Sequence, residues 1–311
     1  MEKEENTWIT GFWKRIGALL IDGLILGFVG FLLGLALEEY FVQIGGWGRL
    51  IGFSIALIYF GVLNSTINNG QTVGKALLNI NVVDSNNNNI NVLKSFLRYC
   101  ILGTPFYLNN ARFTEDLLSS PFLYILSFVI FGGFISVIYL YAFNRHTRQS
   151  LHDVIVGTYV TNKGSSATPI VPIWKFHFAV VVFLFIAAAV APYFTMQLAQ
   201  QEPFIDMLNV RSEVMKEPVV VYANLNEGVS TVTTTESGTS ETTYITVQAF
   251  LAKDDISNEI IATDIGKIII NNHKNAASKD LIQVTLTYGY DIGIWSYWKN
   301  HNHQFTPNDL N

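Results

Sequence analysis

Lys14-Arg15-Ile16-Gly17-Ala18-Leu19-Leu20-Ile21-Asp22-Gly23-Leu24-Ile25-Leu26-Gly27-Phe28-Val29-Gly30-Phe31-Leu32-Leu33-Gly34-Leu35-Ala36-Leu37 is the stretch whose reading decides the fold. Two cations lead into an apolar run over 16–37, and about 20 such residues suffice to cross a bilayer as a helix. The run holds one carboxylate, Asp22. It follows Arg15 by close to two helical turns, so both side chains fall nearly on one face. A charged carboxylate is costly in hydrocarbon, so Asp22 is expected to face protein, water or a partner rather than lipid.

The rest of the chain has the same character. Of 311 residues, 50% are hydrophobic and only 14% charged, where a soluble domain carries roughly a quarter. Mean hydropathy is +0.31, which points to an integral membrane protein with the lipid bilayer as its first partner. Residues 1–197 hold 12 Lys and Arg against 10 Asp and Glu, whereas residues 198–311 hold 7 against 14. The acidic C-terminal part lacks the basic surface that phosphate contacts need, so no nucleic acid is expected as a partner. A single cysteine, Cys100, excludes an intramolecular disulfide. Its apolar neighbours suit a small buried side chain. The first apolar run is too long for a cleaved signal and no small-residue cleavage site follows it, so it reads as a retained first span.

Further apolar segments follow at 50–63, 95–109, 121–143 and 175–198. Gly23, Gly27, Gly30 and Gly34 form two Gly-x-x-x-Gly pairs, a spacing that lets another helix approach closely. Gly45-Gly46-Trp47-Gly48 reads as a turn. Between the second and third segments, Thr72 to Leu78 reads as a short helix, Ile80–Val83 as a weak strand and 84–89 as a polar turn. Gly74-Lys75 does not make a phosphate loop, which needs more glycine and a Ser or Thr where Ala76 stands. The 95–109 segment is short and carries Pro105, so it is expected to be tilted or broken there.

Charge decides whether that segment crosses. With five crossings and the N-terminus inside, Lys3, Lys14, Arg15, Lys75, Lys94, Arg98, Arg145, Arg148, Lys163 and Lys175 lie in the cytoplasm. Only Arg49 and Arg112 then lie outside, among Glu38, Glu39, Glu115 and Asp116. This obeys the excess of cations in cytoplasmic loops; four crossings would put Arg145, Arg148, Lys163 and Lys175 outside. The expected fold is therefore an α-helical membrane bundle of about five transmembrane segments plus a C-terminal extracytoplasmic α+β domain. Its parts are a transmembrane domain over 1–163, a cytoplasmic linker over 164–174, a fifth helix over 175–198 and the outer domain over 199–311. The expected location is a bacterial inner (plasma) membrane, with the outer domain periplasmic where there are two membranes.

In the outer domain, Val219–Tyr222, Val229–Thr234, Thr243–Phe250 and Leu281–Thr287 read as strands, with a turn over 236–240 and a further strand after Tyr288. Residues 255–271 read as a helix with Ile256, Ile260, Ile265, Ile268 and Ile269 on one face. His301 and His303 are spaced as a metal pair, but without a third ligand they read as a solvated tail.

Four elements of the first half resemble the RDD family of bacterial membrane proteins. They are Arg15-Ile16-Gly17-Ala18-Leu19-Leu20-Ile21-Asp22; Gln71-Thr72-Val73-Gly74-Lys75 followed by Ile80-Asn81-Val82-Val83; Arg98; and Arg145 and Arg148 leading into Leu151-His152-Asp153 and Gly157-Thr158-Tyr159-Val160. The resemblance covers residues 8–162 and implies that Arg15, Asp22 and Asp153 are the name-giving residues. It implies transport as the function, with monovalent cation–proton exchange as the proposed chemistry.

The residues themselves point to the same place. Arg15, Arg98, Arg145, Arg148, His152 and Asp153 all gather at the cytoplasmic face, with Asp22 about 10 Å deeper. Burial raises a carboxylate pKa and a nearby guanidinium lowers it. Asp22 is thus the candidate carrier of a proton or monovalent cation, with Arg15 or Arg98 as its tuning partner. The same charges would equally serve to fix helix packing, with His152 hydrogen bonding at the interface. A second reading makes the chain a membrane anchor whose outer domain recognises an extracytoplasmic protein partner. A homo-oligomer would help so small a bundle form a pathway. No nucleophile elbow, zinc motif or nucleotide fingerprint is found, so neither an enzyme nor a cofactor or metal site is expected.

Overall fold

The structure, a computed structural model, is described for residues 8–111, 120–169, 171–202, 204–234 and 238–310. Expectations that fell on Lys3, Arg112, Glu115, Asp116 and Glu236-Ser237 lie outside these residues. Contacts divide the chain into two compact units. One comprises Met1–Ala36, Gly46–Tyr193 and Asp291–Trp295; the other comprises Leu37–Gly45, Phe194–Tyr290 and Ser296–Asn311.

The first unit is helical. Helix α1, Phe12–Ile44, is interrupted at Leu37, whose φ of −132° and ψ of 23° are not helical. The interruption falls where Glu38 and Glu39 end the apolar run. A turn over Gly45–Trp47 leads into α2, Gly48–Leu63, and Gly45 takes a φ of 58°, a left-handed conformation suited to glycine. Then come α3 (Val73–Leu77), β1 (Ile80–Val83) and α4 (Val92–Leu108). Helix α5 spans Phe122–Phe143 with a π-helical turn over Phe128–Gly132. It is followed by α6 (Leu151–Val156), β2 (Tyr159–Asn162) and α7 (Lys175–Ala199).

Three helical stretches among the described residues are long and apolar enough to cross a membrane: Phe12–Leu63, which contains α1 and α2, Phe122–Phe143 and Lys175–Ala199. Helix α4, at 17 residues, is not one of them. Of the expected tilt or break at Pro105 the break does not occur, and the helix runs through the proline. The proline stands in the last turn, where one missing N–H interrupts little of the helix, and Gly133 of α5 leaves room for its ring.

Polarity in this unit is inverted relative to a soluble protein. Helix α1 buries Arg15, Ala18, Asp22 and Leu26 and exposes Leu20, Leu24, Phe28, Leu32 and Leu35. Helix α7 exposes Phe183, Ile186, Val190 and Phe194. An apolar outer surface around an inward charged stripe suits lipid as the solvent. Gly23 faces open space, while Gly27 and Gly30 make room for Ile294 and Trp295. Strands β1 and β2 pair antiparallel from Ile80↔Asn162 to Val83↔Tyr159, and Ile9 bridges to Thr161 beside them. This ribbon ties the segment after α2 to the segment after α6 and so holds α3 and α6 in place.

The second unit is built on a four-stranded sheet in the order β3–β4–β5–β6. The strands are β3 (Val220–Thr234), β4 (Gly238–Leu251), β5 (Leu281–Asp291) and β6 (Ser296–Phe305). Strands β3 and β4 are antiparallel, β4 and β5 parallel. Before the sheet comes α8 (Phe204–Val214), and α9 (Glu259–Asn272) makes the crossover that parallel neighbours require. Val210 and Val214 of α8, Ile265 and Ile269 of α9, and alternate residues Ile245, Val247, Ile282 and Val284 of the sheet form one buried core. Three expectations change. Val219–Tyr222 and Val229–Thr234 belong to one continuous strand, because Asn224 to Gly228 keep register with Tyr244 to Gln248. Ile260 lies on the exposed side of α9, in its first turn, while Ile265 and Ile269 face inward. His301 and His303 sit in β6, not in a solvated tail; their rings lie 4.7 Å apart, with His303 Nε2 3.0 Å from the Ile256 carbonyl.

Candidate functional site

Two carboxylates, Asp22 and Asp153, are wholly buried in the first unit. Asp153 is the third residue of α6, and the Ser150 N–H before the helix reaches back to it at 3.5 Å. That is the carboxylate half of a capping box, which supplies an acceptor to a helix start. The same group receives Arg15 Nη2, Arg98 Nε and Thr158 Oγ1, each at 2.8 Å. Arg15 also donates to the Arg148 carbonyl and lies over the Tyr141 ring at 5.0 Å. The turn that presents this carbonyl is closed by its own side chains: Asn144 donates to Thr147 Oγ1 and to the Gln149 carbonyl, and Gln149 donates to the Thr158 carbonyl. Arg148 sits in it at a φ of 51°.

Burial works against the charge on Asp153, but the guanidiniums of Arg98 and Arg15 outweigh it and hold the carboxyl well below the usual range. Burial pushes the neighbouring His152 imidazole down to about 3, against the pull of Asp153. His152 is therefore neutral near pH 7. Its Nε2 lies 3.2 Å from Arg98 Nη2. A guanidinium can only donate, so Nε2 accepts and the ring proton sits on Nδ1, a buried atom with no hydrogen-bond partner among the described residues.

Asp22 is held differently. Its carboxylate receives the Tyr59 hydroxyl at 2.8 Å, the Gly74 N–H at 2.8 Å and Thr72 Oγ1 at 2.5 Å. Among the described residues no Lys or Arg pairs with it. The two arginines expected to tune Asp22 both turn to Asp153 instead. The first turn of α3 takes their place, offering backbone N–H donors that a short helix leaves free. Thr72 caps that helix by accepting from the Lys75 N–H at 3.3 Å. A Cβ at Gly74 would lie 2.2 Å from the Ala18 carbonyl oxygen, so only glycine lets α3 approach α1 this closely.

Lys75 is buried beside this group, its Nζ 3.4 Å from Thr72 Oγ1 and 5.7 Å from the centre of the Phe60 ring. Burial pushes its ammonium down to about 7; Arg98 and Arg15 push the same way, and Asp22 and Asp153 oppose them. Of the residues singled out in the sequence, Arg15, Arg98, His152 and Asp153 form one cluster, and Asp22, Thr72, Gly74 and Lys75 form its neighbour. Arg148 contributes a carbonyl, and Arg145 is exposed. Tyr59 escaped the sequence reading because one tyrosine in an apolar helix carries no signal of direction. Among the described residues, no group of three or more His, Cys, Asp or Glu is placed to hold a metal.

The RDD family model matches residues 9–157, the segment that carries both carboxylates and all their charged neighbours. YckC of Bacillus subtilis (strain 168), an uncharacterized protein, is 26% identical over 151 residues, covering 49% of this chain and 83% of YckC. No solved structure matches. Residues 9–157 thus match the RDD family model, and a further apolar helix and a sheet-rich domain follow that segment.

Proposed function

We propose that this protein is a small membrane transporter, a monovalent cation–proton exchanger that works through Asp22. The observation that carries this reading is the setting of that carboxylate, buried in an apolar helix and held by three uncharged donors with no paired cation among the described residues. An intramembrane ionisable group is a functional candidate by default. Asp153, with an arginine on each oxygen, suits a fixed part of the frame.

Five crossings are the topology that best accommodates the cluster. Arg15 near the start of α1, Arg98 two turns into α4 and Asp153 beyond the end of α5 meet at one place. Helix α4 must then run to the far side before α5 returns. Its length is about 25 Å at 1.5 Å per residue, a little short of a hydrocarbon core of about 30 Å. At its far end Arg49 donates to the carbonyls of Phe106 and Tyr107 at 3.0 and 2.9 Å. The cation excess around the cluster supports an orientation with that face in the cytoplasm. Residues 199–311 then lie outside, in the periplasm where a second membrane exists. Self-association would complete a pathway that one small bundle leaves narrow.

The test is ion flux in vesicles holding the purified protein. A pH gradient should drive monovalent cation movement, and Asp22→Asn should abolish it; undiminished flux in that variant would remove the mechanism. Protease access to the C-terminus in spheroplasts tests the topology, and a protected C-terminus would sink five crossings.

A second reading, a membrane-anchored binding protein, has one observation in its favour. The sheet of the second unit carries an open, uncharged concavity of about 490 Å³ lined by Asn226, Thr242, Tyr244, Thr246 and Gln283. An extracytoplasmic protein segment is the partner that reading calls for. Full flux after deletion of residues 199–311, together with no partner retained by that region, would count against it.

A further inference from the structure

We propose that Lys75 is the proton-binding group of this cluster, exchanging its proton with water while Asp22 remains hydrogen-bonded as a carboxylate. The proposal rests on the exchange reading above and names the group that carries the coupling proton. Three cationic side chains, Arg15, Lys75 and Arg98, are buried together with two carboxylates, Asp22 and Asp153. Burial without full pairing is what a low-dielectric interior penalises most. The surplus is one positive charge, and His152 adds none while it is neutral. Arginine does not give up its proton in proteins. The surplus can therefore leave only from Lys75.

The geometry singles out the same residue. Arg15 and Arg98 each hold a carboxylate oxygen at 2.8 Å. Lys75 Nζ has a hydroxyl at 3.4 Å and an aromatic face, and among the described residues no carboxylate pairs with it. The charged, polar and aromatic groups around it come from four elements: Arg15 and Asp22 of α1, Tyr59 and Phe60 of α2, Arg98 of α4, and His152 and Asp153 of α6. Two guanidiniums disfavour its charge and two carboxylates favour it. Among the described residues it is bridged to Asp22 by the Thr72 hydroxyl, which accepts from Lys75 Nζ and donates to Asp22. In the step itself an N–H bond of the ammonium breaks, the proton passes to water, and the electron pair stays on Nζ. The flanking Val73 and Leu77 are exposed, so α3 lies at the surface of its unit.

The experiment follows the lysine Nζ and Cε resonances by NMR in the full-length protein, isotopically labelled at lysine and held in lipid nanodiscs, from pH 5 to pH 11. One lysine should titrate near neutrality, and its signal should vanish in Lys75→Arg; ordinary lysines titrate near pH 10.4. A Lys75 signal that stays charged through pH 9 overturns the proposal. In vesicles, Lys75→Arg, which cannot release a proton, and Lys75→Gln, which cannot take one up, should both lose pH-driven flux. Wild-type flux with a wild-type pH profile in the arginine variant also overturns it. If the wild-type protein moves no ion, the exchange reading fails, and the resonance titration alone decides the protonation of Lys75.

Discussion

Asp153 and Asp22 are equally buried, belong to one unit and lie among the same helices, yet they are neutralised by different means. Asp153 has an arginine on each oxygen, and its carboxyl is held low by them. Asp22 has two hydroxyls and one backbone N–H. A pair of guanidiniums fixes a carboxylate in charge and position, because removing either partner strands a buried charge. Neutral dipoles stabilise the carboxylate without cancelling it, so a mobile cation can still supply the missing charge. The segment over residues 9–157 thus joins a closed ion pair to an open one, and burial alone would not have told them apart.

The largest expected effect comes from breaking the closed site. Asp153→Asn leaves Arg15 and Arg98 facing an uncharged amide and should destabilise the protein by about 3–5 kcal/mol, read as a fall in the unfolding midpoint in detergent. Asp22→Asn keeps an oxygen that can accept from Tyr59 and Gly74. It should lose about 2 kcal/mol, the scale of a hydrogen bond to a charged group, while losing all flux. The order of the two stabilities is the test. A protein that tolerates Asp153→Asn better than Asp22→Asn would reverse the roles assigned here.

Much of this was legible from short-range features. The apolar run ended at Leu37 because two glutamates follow it, and the helix is interrupted there. Charge placement brought Arg15, Arg98 and Asp153 to one face before any geometry was known. What stayed hidden depends on distant partners. The strand character of Tyr159–Asn162 comes from pairing with Ile80–Val83, some 80 residues away. Nothing local to Asp22 says that α3 will dock on it, since this follows from the absence of a side chain at Gly74. Asn224-Leu225-Asn226-Glu227-Gly228 has the composition of a turn and is a strand only because β4 holds it in register. The choice of Arg15 and Arg98 between two nearby carboxylates was likewise beyond sequence, because both lie within reach of a long side chain.

Acid should separate the two sites next. His152 is an ordinary imidazole near 6.5 in the unfolded chain and is pushed down to about 3 when folded. Between those values the unfolded chain binds a proton that the folded chain does not, so stability falls as pH drops. The slope is at most about 1.4 kcal/mol per pH unit. Asp153 acts in a lower window. Its folded value is depressed, so its contribution is complete above the unfolded value of about 3.9 and disappears only below it. Unfolding midpoints measured from pH 6.5 down to 4.5 therefore report His152, and His152→Gln, whose amide oxygen can still accept from Arg98, should flatten that slope. An unchanged slope would mean that the imidazole is charged in the folded state, and the closed site would then hold three cations around Asp153.

The smallest effect is the sharpest comparison, because it removes the same bond from each carboxylate. Thr158→Val takes away one hydroxyl donor at 2.8 Å from Asp153, and Tyr59→Phe takes away one at 2.8 Å from Asp22. Each should lower stability by about 1.5 kcal/mol, the low end for a hydrogen bond to a charged group. Asp153 keeps both arginines in the first variant, so the frame is unmoved and flux should stay at the wild-type level. Asp22 in the second keeps only Thr72 and Gly74, a third of its uncharged support gone with no charge to replace it. Its affinity for whatever ion completes the site must change, and a shifted concentration dependence of flux in vesicles is the expected reading. Equal flux curves for the two variants would place the moving charge elsewhere than Asp22.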